Sequence, residues 1–258
     1  MIGKLLGFAL KDIARSKWVL LYVAFFAILT EGLLRFTAGE AKTVVGLMNI
    51  VLLLIPLGAS MFGTLHLHNS REFIELILTQ PVRRSSVFFA LWLGVVLPFL
   101  AAFTLGVGVP MAAHGLITDP TILALLVSGN VLTIVFFALS FYVGIRIADK
   151  ATSMGVAFVM WLFFAVLYDG IILWVSVQYS DYPLEEATIA MVVFNPVDLA
   201  RIVVTLTSDH AALMGYTGAV FNQFFGTMQG ILISAGSLVM WTVVPLWFAK
   251  RAFDRRDW

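Results

Sequence analysis

The stretch REFIELILTQPVRRSS, residues 71–86, sets five charges and a proline between two long apolar runs in a chain that is 61% hydrophobic and only 12% charged. What flanks it decides the fold. Val44–Leu65 and Val87–Met111 are each long enough to cross a hydrocarbon core of about 30 Å, which takes roughly 20 apolar residues in a helix. In lipid only a closed backbone hydrogen-bond ladder is tolerated, so each run must be helical or part of a closed barrel. Working outward, the same reading yields Trp18–Leu34, Ile122–Ile145, Met154–Val177 and Gln229–Ala249, six runs in all. The mean hydropathy of +0.99, with 22 Phe, 7 Trp and 10 Met in 258 residues, lies far outside the soluble range, where apolar residues make up roughly half the chain. Long unbroken runs argue against a barrel, whose strands are short and alternate. An all-α membrane protein with six transmembrane helices is expected.

Basic loops stay cytoplasmic, so counting Lys and Arg on each side orients the bundle. Lys4, Lys11, Arg15, Lys17, Arg71, Arg83, Arg84, Arg146, Lys150, Lys250, Arg251, Arg255 and Arg256 fall on one side; Arg35, Lys42 and Arg201 fall on the other. Both termini are therefore expected on the cytoplasmic side. The net charge of +1 conceals this asymmetry and gives no reason to expect a nucleic-acid partner. With no cysteine, disulfides and Cys-ligated zinc are excluded. No signal-peptide pattern precedes the first span, so the whole chain is expected to persist.

Before that span, residues 1–17 carry Ile2, Leu6, Leu10 and Ile13 on one helical stripe and Lys4, Lys11 and Arg15 on another, as in a helix lying in the membrane interface. Residues 178–228, on the outer face, form the largest polar-rich segment. Within it, Asn195 is expected to cap a helix that has Pro196 at its first position and Asp198 in its first turn.

Residues 69–85 are expected to hold a short helix. Asn69 and Glu72 suggest a capping box, Pro81 ends the helix, and Ser85 or Ser86 restarts the chain into the third span. Phe73, Ile74, Ile77 and Leu78 are apolar at helical spacing. A helix this short is marginal in water, so its apolar face must pack on something: its own bundle, or a separate protein.

Glu75, Leu78, Pro81 and Arg84 match a Glu-x-x-Leu-x-x-Pro-x-x-Arg spacing, and the short helix that carries them resembles the coupling helix of type-2 ABC exporter permeases. The interfacial first helix, six spans, long outer segment and basic tail FAKRAFDRRDW (248–258) are similar to the same family, so the resemblance covers nearly the whole chain as one transmembrane domain, 1–258. Within the family, VLYDGIIL (166–173) and FNPVDLARI (194–202) resemble the Nos-type permeases, which work in copper-site assembly of nitrous oxide reductase. The resemblance implies a cytoplasmic ABC ATPase partner that binds ATP and Mg, a second copy of this chain, and a periplasmic partner protein. It implies that Glu72, Phe73, Glu75, Ile77, Leu78, Pro81, Arg83 and Arg84 meet the ATPase, and that Asn195, Pro196, Asp198 and Arg201 meet the outer partner.

In agreement with a permease role, no Gly-x-x-x-x-Gly-Lys-[Ser/Thr] loop occurs, so no ATP site of its own and no enzyme activity are expected of this chain. Asp169 lies within the fifth span, where an aspartate must be paired, hydrated or protonated. Its expected partners are Asn130, Ser140 or Tyr168, and a role on a transport pathway is the alternative. Met191, His210 and Met214 offer the soft donors that suit Cu(I). The same residues fit ordinary helix packing, which is the favoured account, and no metal is assigned. The rival class is an intramembrane protease. Ser60 has no histidine at matching depth, Glu185-Glu186 lacks the following Arg of glutamate-type enzymes, and His-Glu-x-x-His is absent.

Overall fold

In a computed structural model the chain is described at Gly7 and over residues 16–37, 40–179, 185–207, 224–225 and 227–256. The expected interfacial helix over 1–17, His210 and Met214 lie almost wholly or entirely outside the described residues. Among the described residues the fold is helical, without strands.

Six helices are long and apolar enough to span a membrane. They are α1 (Lys17–Phe36), α2 (Glu40–Asn69), α4 (Arg84–Ala113), α5 (Pro120–Arg146), α6 (Lys150–Gln178) and α9 (Met228–Arg255). Each of the six apolar runs in the sequence lies within one of these helices. Shorter helices among the described residues are α3 (Arg71–Leu78), α7 (Glu185–Val193) and α8 (Pro196–Thr207).

The spanning helices α5, α6 and α9 begin where a side chain caps the first turn. Asp119 accepts from Thr121 N at 2.7 Å and Ile122 N at 3.3 Å, with Pro120 at the first position of α5. Asp149 accepts from Thr152 N at 2.7 Å at the start of α6. Thr227 accepts from Gly230 N at 3.1 Å at the start of α9. These side chains satisfy amides that an N-terminal turn leaves without partners. The turn after α4 passes through Gly115 at φ 74°, a left-handed conformation that glycine adopts without strain.

Helix α5 is the centre of the bundle. It packs on α2, α9, α8 and α4, while α1 lies on α4 and α6 on α2. In α5 67% of the apolar window is buried, against 11% in α6 and in α9, so the latter two face outward. The core between α1, α2, α4 and α5 is a run of aromatic rings in tilted or edge-to-face contact: Tyr22–Phe99, Phe26–Phe103, Phe62–Phe99 and Phe99–Phe137. Since lipid tails are as apolar as these side chains, association here rests on close packing more than on burial from water.

Candidate functional site

Two places concentrate the polar side chains of this bundle: α3 with its surroundings at one end, and the joint between α6 and the α7–α8 hairpin.

The ends of α2, α5 and α9 meet the starts of α4 and α6 around α3. Arg71 Nη2 donates to Ile147 O at 3.3 Å, and Lys150 Nζ donates to Asn69 Oδ1 at 2.9 Å. Arg84 Nη1 donates to Asp254 O at 3.0 Å and to Arg256 O at 2.9 Å, and Arg256 Nη1 donates to Ile145 O. Cations at helix C-termini meet carbonyls that have no intrahelical donor and the negative end of the dipole. Burial, with Arg71 adding to it, lowers Arg256 from its ordinary value. At Asp149 the Thr152 amide and hydroxyl hold the carboxyl below its ordinary value.

Within α3 the apolar face turns inward. Ile74 is fully buried, Ile77 is 8% exposed, and half-buried Phe73 and Leu78 pack on the same core. Of the residues expected to meet the ATPase, Ile77 packs on the chain's own bundle, and Phe73 and Leu78 lean on it. Left outward are Glu72, Glu75, Leu76, Pro81 and Arg83. Leu76, 63% exposed, is an apolar residue that the sequence reading did not select. Arg84 is likewise engaged on α9. The expected capping box is also corrected: Ser70, without a side-chain cap bond, precedes α3, while Asn69 ends α2. Helix α4 starts at Arg84, ahead of the expected Ser85 or Ser86.

At the other site α7 and α8 meet at a bend of 111°. Asn195 stands at the vertex, fully buried, and its position follows from a local change in α6. Over Phe163–Leu167 that helix widens to a π turn, in which Tyr168 N–H bonds Phe163 O in place of Phe164 O. The Phe164 carbonyl accepts instead from Asn195 Nδ2 at 3.0 Å. Phe164 is 14 residues before Gln178, about 21 Å along the helix at 1.5 Å per residue, so the hairpin vertex lies midway along α6. Irregular backbone is tolerated at such depth only where protein satisfies it. Here Asn195 Oδ1 accepts from Val197 N at 3.0 Å, Asn195 O accepts from Leu199 N at 3.0 Å, and Asn195 N donates to Val192 O at 3.0 Å.

Asp198 continues the network, accepting from Asn195 Nδ2 at 2.7 Å and from Arg201 Nη1 at 3.0 Å. The same guanidinium nitrogen donates to Asp169 Oδ2 at 2.9 Å, and Tyr168 Oη donates to Met191 O at 2.8 Å. The segments 166–173 and 194–202, read separately in the sequence, are therefore in contact. Asp169 pairs with Arg201, and its expected partners are engaged elsewhere: Asn130 with Thr104 at 3.0 Å, Ser140 with Phe137 O at 3.0 Å and Tyr168 with Met191 O. Of the residues expected to meet an outer partner, Asn195, Pro196 and Asp198 are buried in this chain and Arg201 is part-exposed. No single sequence signal could have paired Asp169 with a residue 32 positions away.

Asp169, Asp198 and Arg201 line a cavity of about 340 Å³ whose other walls include Ile172, Leu173, Val192 and Leu206. Among the described residues no group of three or more His, Asp or Glu side chains is arranged to hold a metal ion. Met191 is half-buried. At the end remote from α3, Glu31 joins Arg35 at 2.6 Å and His114 at 3.2 Å.

Comparison with known proteins bears on the whole chain. Residues 9–258 match the family described as ABC-2 family transporter protein. Two relatives, each named a probable ABC transporter permease protein NosY, are 25% identical over 257 residues in Pseudomonas aeruginosa and 24% identical over 263 residues in Stutzerimonas stutzeri. In both, the aligned region covers 92% of this chain and 90% of the relative.

Proposed function

Because this chain belongs to the ABC-2 family of transporters and is a permease subunit of an ABC transporter, we propose that it takes up the work of a separate ABC ATPase through the outward strip of α3. The observation that carries this reading is the division of α3 into two faces. Ile74 and Ile77 seat the helix rigidly in the core, while Glu72, Glu75 and Leu76 are held outward as contacts for another protein. An exposed leucine ringed by charges matches the make-up of an interface, in which an apolar anchor supplies affinity and the charged rim sets register and encounter rate.

The same polar contacts give a displacement of α3 a route into the bundle. The chain connects α3 directly to α2 and α4. Arg71 ties it to the α5–α6 connection, and Arg84 ties the start of α4 to the end of α9. Movement of this end therefore acts on five spans together. In this reading the α3 end faces the cytoplasm of a bacterial inner membrane, consistent with its share of the Lys and Arg residues. ATP and Mg are held by the ATPase.

Six spans form half of an exporter, so the reading includes a second copy of this chain, with the outward apolar faces of α1 and α6 available to it. The name NosY of the two relatives, with the resemblance of residues 166–173 and 194–202, favours the assembly of the copper sites of nitrous oxide reductase, together with a periplasmic partner, as the work driven.

The experiment is purification of this chain with its ATPase, followed by measurement of ATP turnover. Glu75→Lys and Leu76→Asp are expected to reduce co-purification and turnover while the melting temperature stays near that of the unaltered chain, since both side chains are exposed. Intact complex and turnover after scrambling the outward positions between 72 and 79 would overturn the reading.

A further inference from the structure

Away from α3's outward strip, the last turn of α5 and the last turns of α9 enclose a second cavity of about 500 Å³. Its lining includes Arg146, Arg251, Arg255 and Arg256, with Ile145 and Phe248 as apolar walls, and no carboxylate among the described residues. Arg146, Arg251 and Arg255, all exposed, bring three positive charges to one concavity, where an anion would meet all three. Asp254, the acid in this part of α9, is turned to Lys250 at 2.8 Å and does not line the cavity.

The fold holds these cations in place. Arg146 lies over the Tyr142 ring at 5.7 Å and Arg251 over the Trp247 ring at 5.4 Å. Stacking on a ring orients the planar guanidinium and leaves its edge N–H groups available. Arg256 is held to Ile145 O, and the backbone at Asp254 and Arg256 is held by Arg84. Preorganised, weakly hydrated guanidiniums suit the several oxygens of a phosphate group.

Beyond this mouth the outward face of α9 is apolar: Val243, Val244, Trp247 and Phe248 are all exposed. A basic pocket that opens onto an apolar strip along a spanning helix matches an amphipathic anion. Free phosphate would leave the strip unused, and an acidic protein surface would meet aromatic walls in place of polar ones. We propose that this cavity binds the phosphodiester headgroup of an anionic phospholipid, whose acyl chains lie along α9. The site requires only that this end of the bundle lies at a membrane surface, so it stands separately from coupling to the ATPase.

The test titrates the full chain, purified with its ATPase in detergent, with short-chain phosphatidylglycerol and follows bound lipid by native mass spectrometry. Saturable binding is expected, weakened about tenfold or more by Arg146→Gln with Arg251→Gln and unchanged by Lys17→Gln, an exposed charge at the same end. Arg251→Lys keeps the charge but loses the planar stack, and is expected to weaken binding several-fold at an unaltered melting temperature. Phosphatidylcholine should not bind saturably, and inorganic phosphate should not displace the lipid at equal concentration. Equal binding by the arginine variants, or displacement by phosphate as effective as by lipid, would overturn the proposal. So would loss of the ATPase subunit from the arginine variants while they still bind lipid, which would identify the pocket as a protein contact.

Discussion

The side-chain amide of Asn195 donates to the carbonyl oxygen of Phe164 at 3.0 Å, joining the vertex of the α7–α8 hairpin to the widened turn of α6. One amide nitrogen thereby satisfies a carbonyl that the π turn releases and also meets the carboxylate of Asp198. Asn195→Ala should lower stability to thermal or denaturant unfolding by about 2–4 kcal/mol, since it strands the Phe164 carbonyl and the Val197 amide, each worth roughly 1–3 kcal/mol when buried. Asn195→Asp keeps the acceptor for Val197 N but sets a second carboxylate beside Asp198, and is expected to fare no better.

Arg201 is the cation between Asp169 and Asp198. Arg201→Met is expected to cost about 1–3 kcal/mol, less than the roughly 3–5 of a fully buried pair because the Arg201 side chain is 35% exposed. Adding Asp169→Asn should restore part of that loss, because it removes one of the two carboxyl groups left facing each other without the guanidinium. A double-mutant cycle on melting behaviour measures the coupling, and strict additivity would contradict the network.

Gly106 of α4 packs directly on α1: a Cβ there would stand 2.8 Å from Phe26 Cβ and 3.0 Å from the Val23 carbonyl. Gly106→Val should cost about 1–3 kcal/mol through overpacking. Gly108→Ala is the control, since its Cβ would find Ile117 at an ordinary 3.8 Å.

Arg84 faces α9, while Glu75 and Leu76 face outward. Arg84→Gln should therefore leave co-purification with the ATPase unchanged while the turnover of the complex falls. Amide hydrogen exchange in the last turn of α9 should rise several-fold, as local opening becomes easier there. Loss of co-purification would place Arg84 at the ATPase contact instead.

Asp149 holds its carboxylate at the start of α6, with a pKa lowered from its ordinary 3.8. A depressed folded-state pKa means that the unfolded chain takes up the proton first on acidification. The contribution is thus fully present above pH 3.8 and lost as pH falls through the lower folded value. The melting difference between the unaltered chain and Asp149→Asn should shrink over that acidic window.

The spans were legible in the sequence because lipid imposes one requirement, about twenty apolar residues in a closed helix, and Val44–Leu65 or Ile122–Ile145 meet it without reference to any other part of the chain. The break at Asn195-Pro196 was legible for a similar reason: an N-cap side chain and a proline at the first helical position act on backbone within a few residues. The amphipathic pattern of residues 71–78 likewise required that Ile74 and Ile77 be covered.

Only the tertiary structure decided by what. Periodicity shows that a face is apolar but not whether its cover is the same chain or another, and the seating of Ile74 and Ile77 in the bundle left Leu76 as an outward apolar residue. Asp169 carried the requirement for a partner without the partner's identity, because Arg201 comes from a hairpin that folds back into the bundle and residues 32 apart share no local signal. Capping and hydropathy act along the chain, so the sequence settles them; charge pairing and helix facing act across space, and the packed bundle settles those.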